Sequence, residues 1–280
     1  MIRMRAAGLP MYDLPELHAA TDAWWAGLAR ALRREGIEDV PDSLTRDLHT
    51  EDIWRCENLL LSQTCGYNMI DSWSSRLTYV ATPCYTAPGC EGPLYSSVIV
   101  VPAASSAQTV SDIRGLRCVI NGYGSHSGCN ALRATVAPFA RDGRFFGSVV
   151  VSGGHATSVS MLQNGEADVA AIDCITYTLM ARVRPGLAER LRVVGRTVSA
   201  PVGPYVSGHG QSGDFLARLR NGLAEAMLDP RLADAREDLL LGGMEVLPIA
   251  RYAEIGRLET EALELGYRDF EPSGPSRYRC

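Results

Sequence analysis

The chain has 280 residues, 46% of them hydrophobic, and a formal net charge of −5; that is enough apolar material for one large α/β domain or two lobes. All 27 basic residues are arginine, which excludes a lysine Schiff base and the Gly-Lys-Ser/Thr phosphate loop of nucleotide hydrolases. The mild acidity and the lack of a basic stripe argue against a nucleic-acid partner, and no run approaches the ~20 apolar residues of a membrane span.

Met4 to Leu9 reads as a first strand, with Pro10-Met11-Tyr12-Asp13 as the loop at its carboxyl end. A helix follows from about Leu14 to Glu35, with Leu17, Trp24, Leu28 and Leu32 at helical spacing, and Gly36 ends it. Its two tryptophans are expected to pack the helix rather than stack on a ligand. Ser43 to Asp47 reads as a second strand. Leu59 to Gln63 is a third, and Thr64, Cys65 and Gly66 place small polar residues at its tip.

Leu77–Thr82 and Ser96–Val101 read as further strands around a loop of Pro, Gly and two cysteines. Leu116–Ile120 is a short apolar strand that runs into Asn121-Gly122-Tyr123-Gly124-Ser125-His126-Ser127-Gly128-Cys129-Asn130 and then a helix from Ala131. Small polar residues at a strand-to-helix junction offer hydroxyls and free backbone N–H groups, a setting that accepts phosphate, sulfate or carboxylate. One such serine alone would be read as a cap. Ser125, Ser127 and Asn130 together read as a binding turn.

Gly147 to Ser152 repeats the strand, and Gly153-Gly154-His155 follows as a turn that lets backbone N–H groups approach a ligand. The next helix starts near Ala156 and stops at Asn164-Gly165 in a left-handed cap. Asp168 opens a buried strand, Val169–Ile172, and Asp173 sits at its carboxyl end, where ligands bind in open α/β sheets. Leu191–Val198 is a strand, helices are expected near Asp214–Leu228, Pro230–Leu240 and Tyr252–Leu265, and the tail EPSGPSRYRC reads as disordered.

Eight cysteines occur without a CxxC pair, so neither a zinc site nor any other metal or cofactor is expected. Cys84 and Cys90 flank a Pro-Gly loop and could pair in an oxidising compartment. The N-terminus has two arginines but no apolar segment or cleavage site. The chain therefore reads as cytoplasmic as written, and as periplasmic if a leader has been removed.

Four pieces carry a resemblance: LPMYDLPE (Leu9–Glu16), LLLSQTCGY (Leu59–Tyr67), GSHSGCNALR (Gly124–Arg133) and SGGHATSVSMLQNGEADVAAIDCITY (Ser152–Tyr177). Together they resemble the phosphate/phosphite/phosphonate-type solute-binding proteins of ABC importers, a branch of the type 2 periplasmic-binding-protein fold. The resemblance implies two α/β lobes joined by two crossover strands with a ligand cleft between them. Lobe 1 would comprise residues 1–99 and 200–280, and lobe 2 residues 100–199. In that family the Ser-x-Ser-Gly helix start holds the oxyanion, which maps onto Ser125, Ser127 and Gly128. The strand-end acid maps onto Asp173, and the loop after the first strand onto Met11 and Tyr12.

The expected function is a monomeric binder whose lobes close on a small anionic or zwitterionic solute, with an importer permease as partner. Thr64, Cys65, Tyr123, His126, Asn130, Gly154, His155 and Tyr177 complete the expected ligand-binding set. Asp173 would meet a cationic or hydroxyl-bearing second end, which favours an aminophosphonate over inorganic phosphate. The alternative is an enzyme on the same fold, similar to certain menaquinone- and thiamin-pathway enzymes, using Cys65, His126, His155 and Asp173 as thiol, bases and acid. A cytoplasmic ligand sensor is a third reading.

Overall fold

The computed structural model describes residues 5–70 and 73–270. In chain order, β1 (Ala6–Gly8), α1 (His18–Arg34), α2 (Thr50–Arg55), β2 (Leu59–Gln63) and β3 (Leu77–Tyr85) come first. Two short strands, β4 (Cys90–Glu91) and β5 (Leu94–Tyr95), precede β6 (Ser97–Pro102), β7 (Arg117–Ile120), α3 (Ala131–Val136), β8 (Ser148–Val151) and α4 (His155–Gln163). Next come β9 (Val169–Asp173), α5 (Cys174–Val183), α6 (Leu187–Arg190), β10 (Leu191–Arg196), β11 (Ala200–Pro201) and β12 (Tyr205–Gly208). The order ends with α7 (Gly213–Leu228), α8 (Ala233–Asp238), β13 (Leu241–Glu245) and α9 (Ala253–Glu264).

The chain divides into two compact units. The first comprises Met1–Thr86, Glu91–Pro93 and Pro201–Arg251; the second comprises Ala87–Cys90, Leu94–Ala200 and Tyr252–Cys280. The expected division put all of 200–280 in the first lobe. Residues after Arg251 instead group with the second unit, because Ala262, Tyr267 and Phe270 are buried in the same core as Ile99, Ile120 and Leu132. Helical periodicity shows that α9 has an apolar side but not which core covers it.

Unit 1 holds a five-stranded sheet in the order β1-β2-β12-β3-β13. β1 runs parallel to β2, whereas β12 is antiparallel to both β2 and β3, and β13 is antiparallel to β3. All five residues of β2 are buried, as an apolar run in a sheet centre requires. Trp24 and Trp25 of α1 are each 1% exposed, so they pack the helix as its spacing predicts. α1 approaches α7 closely: a Cβ on Gly222 would lie 2.6 Å from Leu32 Cδ2, so only a residue without a side chain fits there.

The expected strand at Ser43–Asp47 is irregular chain. Thr45 N–H donates to Ala7 O at 2.7 Å, but Arg46 is drawn off by Asp13 and Asp22 instead of continuing a ladder. β12, β13 and α2 have no counterpart in the sequence reading. The Pro230–Leu240 helix is a short 3-10 turn, Pro230–Leu232, followed by α8. The EPSGPSRYRC tail lies outside the described residues.

Unit 2 holds the sheet β10-β6-β9-β7-β8. β7 pairs in parallel with both β8 and β9, and β6 is antiparallel to β9 and β10. The Arg117 guanidinium and backbone N–H both hold Asp168, which fixes the start of β7 against the start of β9. Aligned starts bring the carboxyl ends of β7 and β9, at Ile120 and Asp173, to one edge of the sheet. Gly165, at φ +73°, ends α4 as the left-handed cap that the sequence predicts.

Candidate functional site

β7 leads into a turn that the sequence composes from small residues. Ser125 is extended, and its Oγ accepts from Gly128 N–H at 3.3 Å. The chain then makes one wide π-type turn, His126–Asn130, closed by Asn130 N–H donating to Ser125 O at 3.0 Å, and continues into α3. Gly128 is needed there. A Cβ at that position would lie 2.1 Å from Asn121 Oδ1 and 3.1 Å from His155 Cε1.

The second junction faces the first. Ser152 Oγ accepts from Gly154 N–H at 3.3 Å and lies 2.7 Å from Ser158 Oγ, which sets the first turn of α4. His155 is the first residue of that helix. Its Nε2 lies 2.8 Å from Ser127 Oγ, and Ser127 Oγ lies 3.4 Å from Ser125 Oγ. Ser97 Oγ, from β6, donates to Ser127 O at 2.9 Å and holds the turn to the sheet. Burial pushes the His155 imidazole down to about 4, so the ring is neutral at physiological pH.

Two buried polar atoms of this cluster have no hydrogen-bond partner among the described residues: His155 Nδ1 and Asn121 Oδ1. Both flank Gly128. In the tautomer in which the Ser127 hydroxyl donates to Nε2, the ring proton resides on Nδ1, and that N–H is a buried donor. A buried donor left unmade costs about 1–3 kcal/mol. The N-terminal dipole of α4 adds positive potential at the same place.

Among the residues expected from sequence, Ser125, Ser127, Gly128, Gly154 and His155 therefore come together. Others are used differently. Asp173 is 3% exposed, and its Oδ1 accepts from the N–H groups of Ile175 and Thr176 at 2.7 and 3.1 Å, the N-cap of α5. Asn130 points into the unit, where its Nδ2 donates to Ile255 O at 2.8 Å and lies 3.3 Å from His126 Nδ1. His126 is 2% exposed, and burial pushes it down to about 4. Arg133 extends this contact, donating to Glu259 at 2.6 Å. Tyr123 packs on the unit 2 core, and Tyr177 is half-buried on α5.

Met11, Tyr12, Thr64 and Cys65 belong to unit 1. The Tyr12 ring meets Tyr85 edge-on at 5.0 Å. Thr64 is buried; its Oγ1 accepts from Asn68 Nδ2 at 3.0 Å, and its carbonyl would lie 2.3 Å from a Cβ on Gly203. Cys65 precedes the 3-10 turn Gly66–Met69. A small pocket in this unit is lined by Tyr12, Gln63, Tyr85 and Tyr205 among others. The sequence reading missed Gln63, Tyr85 and Asn121. Asn121 was within reach, since the strand-end rule that singled out Asp173 applies equally to the residue after Ile120.

No helix among the described residues is long and apolar enough to cross a membrane. No curated protein matches the chain. Solved structures do. A binding protein component of an ABC phosphonate transporter from Pseudomonas aeruginosa is 14% identical, with a TM-score of 0.74 over 94% of this chain and 87% of that one. PhnD1 from Prochlorococcus marinus, in complex with methylphosphonate, is 12% identical, with a TM-score of 0.73 over 93% of this chain and 98% of that one. XAC2383 from Xanthomonas citri, bound to ATP, is 14% identical with a TM-score of 0.67, covering 94% and 98%. These likenesses make the fold that of periplasmic binding proteins. The family model described as "ABC transporter, phosphonate, periplasmic substrate-binding protein" matches residues 76–249. Such membership implies a small-molecule ligand and an ABC permease, and it does not favour the enzyme alternative. The chain belongs to the periplasmic substrate-binding proteins of phosphonate ABC transporters and is a solute-binding protein.

Proposed function

We propose that the Ser125–Ser127–His155 cluster receives the oxyanion end of a phosphonate-class solute, which the protein delivers to an importer permease from the periplasmic side. One observation carries the reading. His155 is fixed through Nε2 by Ser127, while its buried Nδ1 lacks any partner among the described residues. A phosphonate oxygen supplies the missing acceptor, and hydrogen bonds to a charged group are worth about 1.5–3 kcal/mol each. Asn121 Oδ1, the second unpartnered atom, can accept from the P–OH of a monoanion. The site thus suits an oxyanion held by neutral donors and a helix terminus rather than by a countercharge.

Asp173 supports an amine-bearing solute less directly. Its carboxylate already caps α5. Our reading keeps an aminoalkylphosphonate as the preferred zwitterion and an alkylphosphonate as the minimal ligand.

Isothermal titration with methylphosphonate, an aminoalkylphosphonate, phosphate and sulfate tests this. Ser127→Ala is expected to weaken phosphonate binding roughly 10- to 100-fold while lowering the melting temperature without ligand by only a few degrees, the cost of leaving His155 Nε2 unpaired. Unchanged affinity, or equal loss of stability without ligand, would make Ser127 a structural cap.

A further inference from the structure

We infer that Cys90 and Cys174 are an oxidisable thiol pair, a disulfide site of the working protein in its oxidising compartment. Their sulfurs lie 3.6 Å apart, and both residues belong to unit 2. Shifts of less than ~1 Å on each side bring them to the ~2 Å of a disulfide.

The turn that carries Cys90 is seated rather than loose. Cys90 N–H donates to Ala87 O at 2.9 Å, and both Ser96 N–H and Ser96 Oγ donate to Gly89 O. Arg196 Nη1 donates to Pro88 O at 3.1 Å. Cys174 N–H donates to Ser96 O at 3.2 Å, and a Cβ on Gly89 would lie 3.2 Å from Cys174 Cβ. Ser96 therefore holds both partners, one through Gly89 and the other through its carbonyl. Cys174 is the first residue of α5 and is buried; Cys90 is half-buried and can be reached from solvent.

The reaction balances with a small disulfide, such as oxidised glutathione, as the two-electron acceptor. The Cys90 thiol gives up its proton, and its sulfur attacks the small disulfide, releasing one thiol and leaving a mixed disulfide. The Cys174 sulfur, also deprotonated, then attacks Cys90 Sγ and displaces the second thiol. The hydrogen bond to Cys174, followed by burial, pushes the Cys90 thiol well above its ordinary range. The first attack therefore quickens as the pH rises. The family's compartment, the periplasm, is kept oxidising. The bond would close a loop between positions 84 apart and fasten the end of the Ala87–Cys90 segment to the start of α5.

The pairing expected from sequence, Cys84 with Cys90, differs. Burial, and after it Glu245, whose Oε1 lies 3.9 Å from Cys84 Sγ, pushes the Cys84 thiol up to about 11.

The test uses the full chain, reduced and then equilibrated with a mixture of reduced and oxidised glutathione, alkylated, and digested without reduction. The expected product has lost two of its eight thiols and about 2 Da, and yields a single linked peptide joining Cys90 to Cys174. It melts roughly 5–15 °C above the reduced form. Cys84→Ser leaves the linkage intact, whereas Cys90→Ser and Cys174→Ser each abolish it. A Cys84–Cys90 peptide, glutathione adducts alone, or eight unchanged thiols would each overturn the inference. Because linkage is mapped on the wild-type chain without ligand, its failure is separable from failure of the oxyanion site.

Discussion

β2 in unit 1 and β7 in unit 2 both end in polar residues, and the two ends are finished differently. At the end of β2, Gln63 Nε2 donates to Gly203 O at 2.9 Å, and Thr64 is closed by Asn68 and by the Pro204 carbonyl. At the end of β7, Asn121 Oδ1 and its neighbour His155 Nδ1 are buried without partners among the described residues. Polar residues at a strand end therefore do not by themselves mark a ligand. The distinction lies in which atoms the fold has already satisfied, and an unmade buried hydrogen bond leaves a place where a ligand can supply the partner.

Filling the space beside Gly128, between the Asn121 amide and the His155 ring, should break the contrast most severely. In Gly128→Ala the new Cβ would sit 2.1 Å from Asn121 Oδ1, so the amide must turn away and the turn must yield. Phosphonate affinity is expected to fall by about 100-fold or more, read by titration. The melting temperature without ligand should drop by only a few degrees, since the displaced amide had no partner to lose. Unaltered affinity would show that the Asn121–His155 space is not where the ligand binds.

A sharper version compares β7 with β9, its parallel neighbour. Asp173 occupies a strand end as Asn121 does, but its carboxylate is engaged by two N–H groups of α5. Asp173→Ala should therefore cost the cap, about 1 kcal/mol, and lower the melting temperature by roughly 2–4 °C. Methylphosphonate binding should change little. A large loss confined to an aminoalkylphosphonate would add a ligand role to the cap.

The sequence made part of this difference legible. Strand, glycine turn and helix punctuation placed β9, the start of α4 and the Ser125–Ser127 turn, because each boundary is marked by a residue with a local conformational reason. It could not place β12 and β13, which are four or five residues long and gain their identity from pairing with β2 and β3 far away in the chain. β13 even carries two glycines, poor strand formers in isolation. The role of Asp173 was equally hidden. A strand-end acid followed by a helix is consistent with a ligand contact or a cap, and only the hydrogen bonds decide. Cys90 and Cys174 likewise meet across a separation of 84 positions, beyond any spacing rule.

The mildest probe is pH, because it asks whether the two histidines of this unit are structural or open to solvent. Burial lowers His126 and His155 to about 4 from an ordinary value near 6.5. Below the ordinary value the unfolded chain takes up protons that the folded chain refuses, so the unfolded state binds more protons between about pH 6.5 and 4. Stability is full above that window and declines as the pH falls through it. The melting temperature without ligand should therefore fall progressively from pH 7 to pH 4.5. The two rings should part company when phosphonate is present. Bound oxyanion beside His155 favours its protonated form, so ligand should flatten the His155 contribution and leave that of His126, which faces Asn130 inside the fold, untouched. Titrating the two imidazoles by NMR with and without methylphosphonate reads this directly: an upward shift of His155 alone fits the cluster as the anion site, and equal shifts or none would remove His155 from it.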